Sequence, residues 1–313
     1  MLITGAAGFV GASLARRLLE DGEDVEVLVR PGSSLWRLEE AAVRRHEADL
    51  RDAAAVAAAL AAARPEWIFH LASHGSHAWE TDARSIFESN AVGTLNLLEA
   101  SVQQGFDAFV HAGSSSEYGF KDHAPVEDET LRPNSTYAVA KASATLLCRL
   151  FAEGRGLHVA TLRLYSVYGP WEDPRRLMPT LLAHGLRGAL PPLVAPETAR
   201  DFVYVEDVNR AFLAAAARRV SGSDAIYNVG SGVQTTMREV VGIAQRLLGI
   251  EEPPRWGSHA PRDWDTSTWI CDRSRAEREL GWTPAWGLEA GLAEMVAWLR
   301  EQPSLWERYG ITP

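Results

Sequence analysis

Short apolar segments alternate with amphipathic or alanine-rich segments along the first half of the chain. Apolar runs of a few residues are typical of buried strands, and apolar positions that recur every three or four residues are typical of helices. This alternation predicts a doubly wound α/β fold, in which helices cover both faces of a parallel sheet. The predicted strands are Leu2–Thr4, Val25–Val29, Trp67–Leu71, Phe109–Ala112 and Val159–Leu164, and the predicted helices between them are Ala12–Glu20, Ala53–Ala63, Ile86–Gln103 and Tyr137–Phe151.

The second half of the chain is richer in proline, between Pro170 and Pro196 and again between Pro253 and Pro261. We interpret these stretches as parts of a smaller, discontinuous lobe, because the later strand Tyr227–Val229 has the character of a return to the main sheet. Further helices are predicted at Asp207–Ala217, Met237–Leu248 and Leu288–Leu299. The predicted division gives residues 1–165, with return segments at about 200–230, to a dinucleotide-binding domain, and 166–199 and 231–313 mainly to a substrate lobe.

A glycine-rich turn follows the first predicted strand. Gly5, Gly8 and Gly11 are spaced as Gly-x-x-Gly-x-x-Gly and lead directly into a helical pattern. The first glycine permits a tight turn, the second lets the backbone approach a pyrophosphate, and the third allows close packing of helix on strand. The positively polarised N-terminus of the helix then holds the pyrophosphate. The segment therefore predicts a Rossmann-type dinucleotide site.

Tyr137 and Lys141 lie four residues apart in a predicted helix, downstream of Ser114. Residues four apart share a helix face, so both side chains can reach one ligand. A phenol has a pKa near ~10, and lowering that pKa to about 7 requires roughly 4 kcal/mol of preferential stabilisation of the phenolate. The ammonium of Lys141 and an oxidised nicotinamide ring could supply it. The pattern predicts that Ser114 binds a substrate oxygen while Tyr137 transfers the proton.

Composition narrows the class of protein. The chain has 313 residues, of which 46% are hydrophobic, enough for one large α/β domain and a smaller lobe. No run of eighteen apolar residues predicts a membrane span, and no signal peptide is recognised before the first strand, so a cytoplasmic location is expected. The net charge of −10 argues against general nucleic-acid binding. The two cysteines, Cys148 and Cys271, suggest neither a disulfide framework nor a metal cluster.

Several motifs occur in one order along the chain, and together they resemble the extended short-chain dehydrogenase/reductases that act on nucleotide sugars. The resemblance covers nearly the whole sequence. Besides the glycine turn and Tyr137-x-x-x-Lys141, the motifs are Asp49-Leu50, His70-Leu71-Ala72, Asn90-x-x-Gly93-Thr94, Tyr118-Gly119, Arg163 with Tyr168-Gly169-Pro170, Arg200-Asp201-Phe202 and Glu279-Leu280-Gly281-Trp282.

The resemblance implies roles for individual residues. Ser114, Tyr137 and Lys141 become the catalytic triad. The segment from Phe109 to Gly119 aligns without a gap to the corresponding motif of UDP-galactose 4-epimerases, and this selects Ser114 over Ser115 or Ser116 as the catalytic hydroxyl. The implied cofactor-binding residues are Gly5, Gly8, Phe9, Val10, Gly11, Arg30, Ser33, Asp49, Leu50, Leu71, Ala72, Ser73, Asn90, Tyr137, Lys141 and Tyr165. The implied substrate residues are His74, Ser115, Ser116, Ser166, Arg200 and Arg262, the two arginines clamping a diphosphate.

The end of the second predicted strand departs from the family. An acidic residue normally binds the adenosine ribose there and selects NAD. This chain has Val29, followed by Arg30 and, nearby, Ser33 and Ser34. An arginine with serines suits a 2′-phosphate, so NADP(H) is favoured. In the alternative, Arg30 stacks on the adenine and NAD(H) remains possible.

Ser115 and Ser116 bear on the reaction. Related 4,6-dehydratases carry acidic residues around these positions, and serines replace the required acid and base poorly. Glu117 aligns to an apolar position, so a dehydratase is disfavoured. NADPH-dependent reduction of a 4-keto nucleotide sugar is slightly favoured by Arg30, and 4-epimerisation with a retained cofactor is the alternative. A non-catalytic sensor or scaffold is a different class, and the complete triad argues against it.

Two further predictions concern ligands and assembly. His74 and His77 are three residues apart, but no third ligand is apparent, so we expect walls of a sugar pocket, with Trp79, and no metal. Ser166 stands where many relatives have asparagine, which affects the expected pose of the nucleotide. The resemblance also implies a homodimer, with helices Ile86–Gln103 and Tyr137–Phe151 pairing between subunits.

Overall fold

The computed structural model describes residues 1–39, 41–77, 79–218, 225–258 and 266–311. Its strands are β1 (Leu2–Thr4), β2 (Glu26–Val29), β3 (Arg44–Glu47), β4 (Trp67–His70), β5 (Ala108–Ser114), β6 (Val159–Leu164), β7 (Ser166–Tyr168), β8 (Ala199–Tyr204), β9 (Ile226–Val229) and β10 (Gln234–Thr236). Its helices are α1 (Phe9–Glu20), α2 (Ala53–Ala63), α3 (Ala83–Phe87), α4 (Gly93–Gln104), α5 (Thr136–Arg155), α6 (Leu177–Gly185), α7 (Val205–Ala217), α8 (Met237–Leu248), α9 (Ser274–Leu280) and α10 (Leu288–Glu301). A π-turn (Glu88–Val92) joins α3 to α4, and short 3₁₀ turns span Trp36–Leu38, Ser115–Tyr118 and Pro303–Leu305.

The main sheet has seven parallel strands in the order β3-β2-β1-β4-β5-β6-β9. Strand order reverses between β1 and β4, and ligands of doubly wound sheets bind in the crevice at the carboxyl ends of such strands. One apolar core includes residues of α1 and α7 on one face of the sheet, and another includes residues of α2, α4 and α5 on the other. The predicted Rossmann-type fold is confirmed.

A second sheet and a third core lie outside this arrangement. Strands β10, β8 and β7 form a three-stranded sheet, in which β7 is parallel and β10 antiparallel to β8. A separate apolar cluster joins α6, α8 and α10, with Leu181, Val240 and Leu292 fully buried. The assignment of these elements to a substrate lobe stays a prediction. No described helix combines the length and apolar character needed to cross a membrane.

Most predicted elements are present, and two differences have clear causes. The predicted helix Ile86–Gln103 is α3 and α4 joined by the π-turn, where Asn90 Nδ2 donates to the Ile86 carbonyl at 2.8 Å. Strand β3 was not predicted, because Arg44–Glu47 has no apolar alternation. It lies at the edge of the sheet, and exposed charge on an edge strand discourages pairing with other chains.

Candidate active site

The glycine turn between β1 and α1 is closely packed. Gly5 has a φ of 73°, in the left-handed region, and a Cβ there would lie 2.5 Å from the backbone of Leu71 and Ala72. A Cβ on Gly11 would lie 2.5 Å from the Gly5 carbonyl oxygen. Gly8 is the N-cap of α1 and carries no side chain that could cover the first N–H groups of the helix. The turn therefore fits a dinucleotide, whose pyrophosphate would approach bare backbone at a helix N-terminus.

The loop after β4 is held against this turn. Thr4 accepts from Leu71 N through its carbonyl and from Ala72 N through Oγ1, both at 3.2 Å. Asn90 reaches the same loop, donating to His74 O at 2.6 Å and accepting from His74 N at 3.2 Å. The π-turn thus aims Asn90, one of the implied cofactor-binding residues, at the loop.

Ser114 is the last residue of β5 and opens the 3₁₀ turn. Its Oγ lies 2.8 Å from Ser116 Oγ and accepts from Ser116 N at 3.2 Å. Its backbone N–H donates to Glu117 Oε1 at 2.8 Å, which completes a reciprocal capping box. The serine hydroxyl is therefore fixed by a turn whose third residue is a buried carboxylate. Ser115 is buried beside it.

Tyr137 lies in the first turn of α5, one residue after the start of the helix. Ser135 caps the helix by accepting from Ala138 N at 3.1 Å. Burial raises the pKa of Tyr137, and hydrogen bonds from Ser73 and Ser114 oppose that rise. The tyrosine hydroxyl is therefore within hydrogen-bonding reach of the predicted catalytic serine, as acid–base transfer at one substrate oxygen requires.

Lys141 follows one turn later and is 2% exposed. Burial lowers the pKa of Lys141 to about 8, and the negative charge of Glu117 opposes the shift. The ammonium form therefore still predominates at pH 7. Ser114 therefore ends β5 within hydrogen-bonding reach of Tyr137, and Lys141 follows Tyr137 one turn along α5.

Arg30 and Asp49 lie at the other edge of the crevice, after β2 and β3. Asp49 forms a bidentate ion pair with Arg51, with contacts of 3.0 and 2.6 Å. Arg51 lowers the pKa of Asp49 to about 2, and the charge of Arg30 adds to that effect. Arg30 is exposed, and Ser33 N donates to its carbonyl at 3.0 Å in a tight turn. The arrangement is compatible with contacts to an adenosine. Arg51 was not recognised from the sequence.

Leu50 joins this edge to the π-turn. Asn96 Nδ2 donates to the Leu50 carbonyl at 2.8 Å. A Cβ on Gly93 would lie 2.9 Å from Leu50 Cβ, so only glycine permits this approach. Leu50, one of the implied cofactor-binding residues, is therefore anchored to α4, which follows the π-turn that carries Asn90.

The predicted cofactor residue Tyr165 and the predicted substrate residues Ser166 and Arg200 lie after β6, on β7 and on β8. The Tyr165 ring lies 6.4 Å from that of Trp269, and its buried hydroxyl has no hydrogen-bond partner among the described residues. Arg200 lies 5.7 Å from the same tryptophan ring and donates to the Ala199 carbonyl at 2.7 Å. Ser166 begins β7, next to Tyr165. Arg262, the other predicted diphosphate ligand, lies outside the described residues.

The predicted histidines have partners of their own. His74 Nδ1 lies 2.9 Å from Glu80 Oε1, and the His77 ring stacks on Trp79 at 4.4 Å. The Arg175 guanidinium lies 3.9 Å from the Trp79 ring. Within the described ranges, no group of three or more metal-ligating side chains comes together.

Sequence reasoning missed a charged group near Tyr137. The positive charge of Arg176 lowers the pKa of both Tyr137 and Glu172, so Arg176 lies near both. Glu172 is buried, and its Oε2 has no hydrogen-bond partner in the described part of the chain. Burial raises the pKa of Glu172 to about 8. The neighbouring Arg37 donates to the carbonyls of Trp171 at 2.7 Å and Ala7 at 3.0 Å, joining this segment to the glycine turn.

The fold and the candidate site match those of an extended short-chain dehydrogenase/reductase. The matching features are the parallel sheet, the glycine turn at its switch point, and the arrangement of Ser114, Tyr137 and Lys141. The sequence profile of the NAD dependent epimerase/dehydratase family matches residues 1–230. The chain therefore belongs to that family, whose members are enzymes acting on nucleotide sugars.

Similar proteins include both epimerases and dehydratases. A dTDP-glucose 4,6-dehydratase of Streptomyces griseus is 33% identical, with 98% of this chain and 96% of that protein aligned. A UDP-glucose 4-epimerase of Mycolicibacterium smegmatis is 32% identical, with 96% and 98% aligned. The structure of MoeE5 in complex with UDP-glucose and NAD is 34% identical, with a TM-score of 0.83 and coverage of 96% and 98%.

Proposed function

We propose that this chain is a nucleoside-diphosphate-sugar 4-epimerase. The surroundings of Ser114 carry the proposal. Ser115 and Ser116 offer only hydroxyls, and the Glu117 carboxylate lies against Arg163 Nε at 2.9 Å in the interior. Loss of water from a sugar needs a group that protonates the leaving hydroxyl. Because the acid nearest Ser114 in sequence is committed to an internal ion pair, epimerisation is favoured over dehydration.

The chain's own residues supply the proton chemistry. Tyr137 removes the proton from the C4 hydroxyl and later returns it, and Ser114 holds the same oxygen by hydrogen bond. The Lys141 ammonium stabilises the phenolate form of Tyr137 by charge. NAD held at the glycine turn would supply the hydride acceptor and donor for C4. Arg200 on β8 is proposed to bind the diphosphate, together with Arg262.

Reduction of a 4-keto nucleotide sugar by NADPH is the second candidate. The observation that favours it is Arg30, which is exposed after β2 and close enough to lower the pKa of Asp49. A cation at this place suits the 2′-phosphate of NADP. The same Ser114 and Tyr137 would then protonate the oxygen of a ketone. MoeE5 in its complex holds NAD, and this favours the epimerase.

The cofactor and product distinguish these candidates. We would denature the purified chain, identify any released cofactor by mass spectrometry, and follow UDP-glucose by proton NMR without added cofactor. Retained NAD and formation of the C4 epimer are expected. A product lighter by one water would identify a dehydratase. An empty protein that consumes NADPH with a 4-keto nucleotide sugar would identify the reductase.

We also propose a homodimer that pairs α5 and the neighbouring α4. Val139, Leu146 and Leu150 are exposed on α5, and their spacing places them on one face of the helix. Exposed apolar faces of this kind mark protein interfaces. Sedimentation velocity is expected to give a dimer, with Leu150→Glu shifting it to monomer. A monomeric wild-type protein at micromolar concentration would contradict the assembly.

A further inference from the structure

Glu117 is an unusual residue to find completely enclosed. It is 0% exposed, and its carboxylate meets three donors. Oε1 accepts from Ser114 N at 2.8 Å and from Thr145 Oγ1 at 3.0 Å, and Oε2 accepts from Arg163 Nε at 2.9 Å. A buried carboxylate stays ionised only when a cation and hydrogen-bond donors compensate for lost hydration. Arg163 and the two donors provide that compensation.

These contacts connect the elements that carry the catalytic residues. Ser114 ends β5, Arg163 lies on β6, and Thr145 lies four residues beyond Lys141 on α5. The carboxylate lies directly against the backbone before the serine, because a Cβ on Gly113 would be 2.9 Å from Glu117 Oε1. Movement of Glu117 would therefore move the backbone that presents the Ser114 hydroxyl.

Arg163 is in turn held in place from the opposite side. Its Nη1 donates to Tyr118 Oη at 2.8 Å and to the Glu127 carbonyl at 3.0 Å. Tyr118 Oη donates to Asn228 Oδ1 at 2.8 Å, which anchors the group to β9. The guanidinium has therefore little freedom to leave Glu117.

The groups that face Lys141 come from several elements. Tyr137 lies one turn before Lys141 on α5, Cys148 lies further along the same helix, and His70 and His111 lie on β4 and β5. Burial lowers the pKa of His70 to about 3 and that of His111 well below its usual value, so both imidazoles are neutral. Burial raises the pKa of Cys148 to about 12, so its thiol is neutral as well. Among these described groups, Glu117 supplies the negative charge.

We propose that Glu117 is a positioning residue that, fixed by Arg163, orients Ser114 and keeps Lys141 in its ammonium form inside the protein. Its contribution to turnover rests on the proposed function. Its contribution to the charge of Lys141 is independent of substrate.

The charge of Lys141 can be measured directly, because Lys121 and Lys141 are the only lysines of the chain. Protein labelled with ¹³C at lysine Cε gives two side-chain signals, and Lys121→Arg assigns them. In Glu117→Gln the midpoint of the Lys141 titration is expected to fall by about one pH unit or more, since loss of a nearby opposite charge disfavours the charged form. An unchanged midpoint would overturn the proposal.

Glu127→Gln is the matched control. Glu127 is also buried, and its Oε1 accepts from Asn228 N at 2.8 Å, but it is not among the groups that face Lys141. In Glu127→Gln the midpoint of the Lys141 titration is expected to match that of the wild type. An equal fall in both variants would mean a general loosening of the interior and would also overturn the proposal. If Glu117→Gln does not fold, the paired replacement Glu117→Val with Arg163→Met removes both charges, and its Lys141 midpoint must still fall.

Turnover provides the second readout. In Glu117→Gln, kcat is expected to fall about tenfold or more, and the alkaline limb of kcat is expected to move to lower pH with Lys141. A merely structural role would lower the yield of folded enzyme without moving that limb, and this result would overturn the proposal. If wild-type protein turns over no nucleotide sugar, the proposed function fails, and the NMR titration alone decides the role of Glu117.

Discussion

Two buried glutamates, Glu117 and Glu172, have different surroundings. Glu117 meets Arg163 Nε at 2.9 Å and two further donors. Glu172 has an oxygen without a hydrogen-bond partner in the described ranges, and burial raises its pKa to about 8. The comparison shows that burial alone does not determine the charge of a carboxyl group. Glu117 forms an ion pair with the buried Arg163, whereas burial raises the pKa of Glu172 to about 8.

Replacement of Tyr137 should have the largest effect, because Tyr137 is the proposed proton-transfer group. Tyr137→Phe removes the proton-transfer group and is expected to lower kcat by about 10²–10⁴-fold. The unfolding temperature should change little, because the ring is retained. Steady-state rates and calorimetry check both points. Turnover at the wild-type level would contradict the proposed role of Tyr137 in proton transfer.

Removal of the cation that pairs with Glu117 should destabilise the fold strongly. Arg163→Met leaves Glu117 buried without its cation, which costs about 3–5 kcal/mol of unfolding free energy for a buried pair. Urea denaturation measures the loss. Arg175→Met is the control, because Arg175 is exposed and its ion pair with Asp173, at 2.8 Å, is worth at most about 1 kcal/mol. Equal losses in the two variants would remove the distinction between buried and exposed pairs.

The raised pKa of Glu172 should make the stability of the fold depend on pH. A raised pKa means that the folded protein keeps a proton that the unfolded chain releases. Stability is therefore fully present below about pH 4.5 and falls as the pH rises to about 8. Glu172→Gln should remove this slope and gain roughly 2–4 kcal/mol over the wild type at pH 8. Parallel stability curves for the two proteins from pH 5 to pH 8 would contradict the shifted pKa.

The smallest effect is expected for Arg176, whose positive charge lowers the pKa of Tyr137 and of Glu172. Its charge lowers the pKa of Tyr137, so Arg176→Ala should raise that pKa and move the acid limb of kcat/KM to higher pH. The shift should stay below about one unit, because Arg176 is exposed and salt screens its field. Arg175→Ala, adjacent in sequence but paired with Asp173, should leave the limb in place. Identical profiles for all three proteins would exclude Arg176 from the environment of Tyr137.

The sequence allowed several strands and helices to be predicted better than the buried charges around the candidate site. Strands β1 and β6 and helices α2 and α8 have the predicted bounds, because their apolar spacing is local information. Glu117 and Glu172 could not be assigned in this way, since each depends on residues distant in sequence. An arginine within the apolar strand β6 was a usable signal, because a buried Arg163 requires an anion. Its partner, 46 residues away, becomes visible only in the fold.

The bare backbone at Gly113 also constrains how this enzyme can be altered. A methyl group at that position would lie 2.8 Å from Thr161 Cγ2 and 2.9 Å from Glu117 Oε1. A larger residue at 113 therefore requires smaller ones at 117 and 161. Directed evolution by single substitutions should find position 113 closed, while libraries that vary the three together could open it.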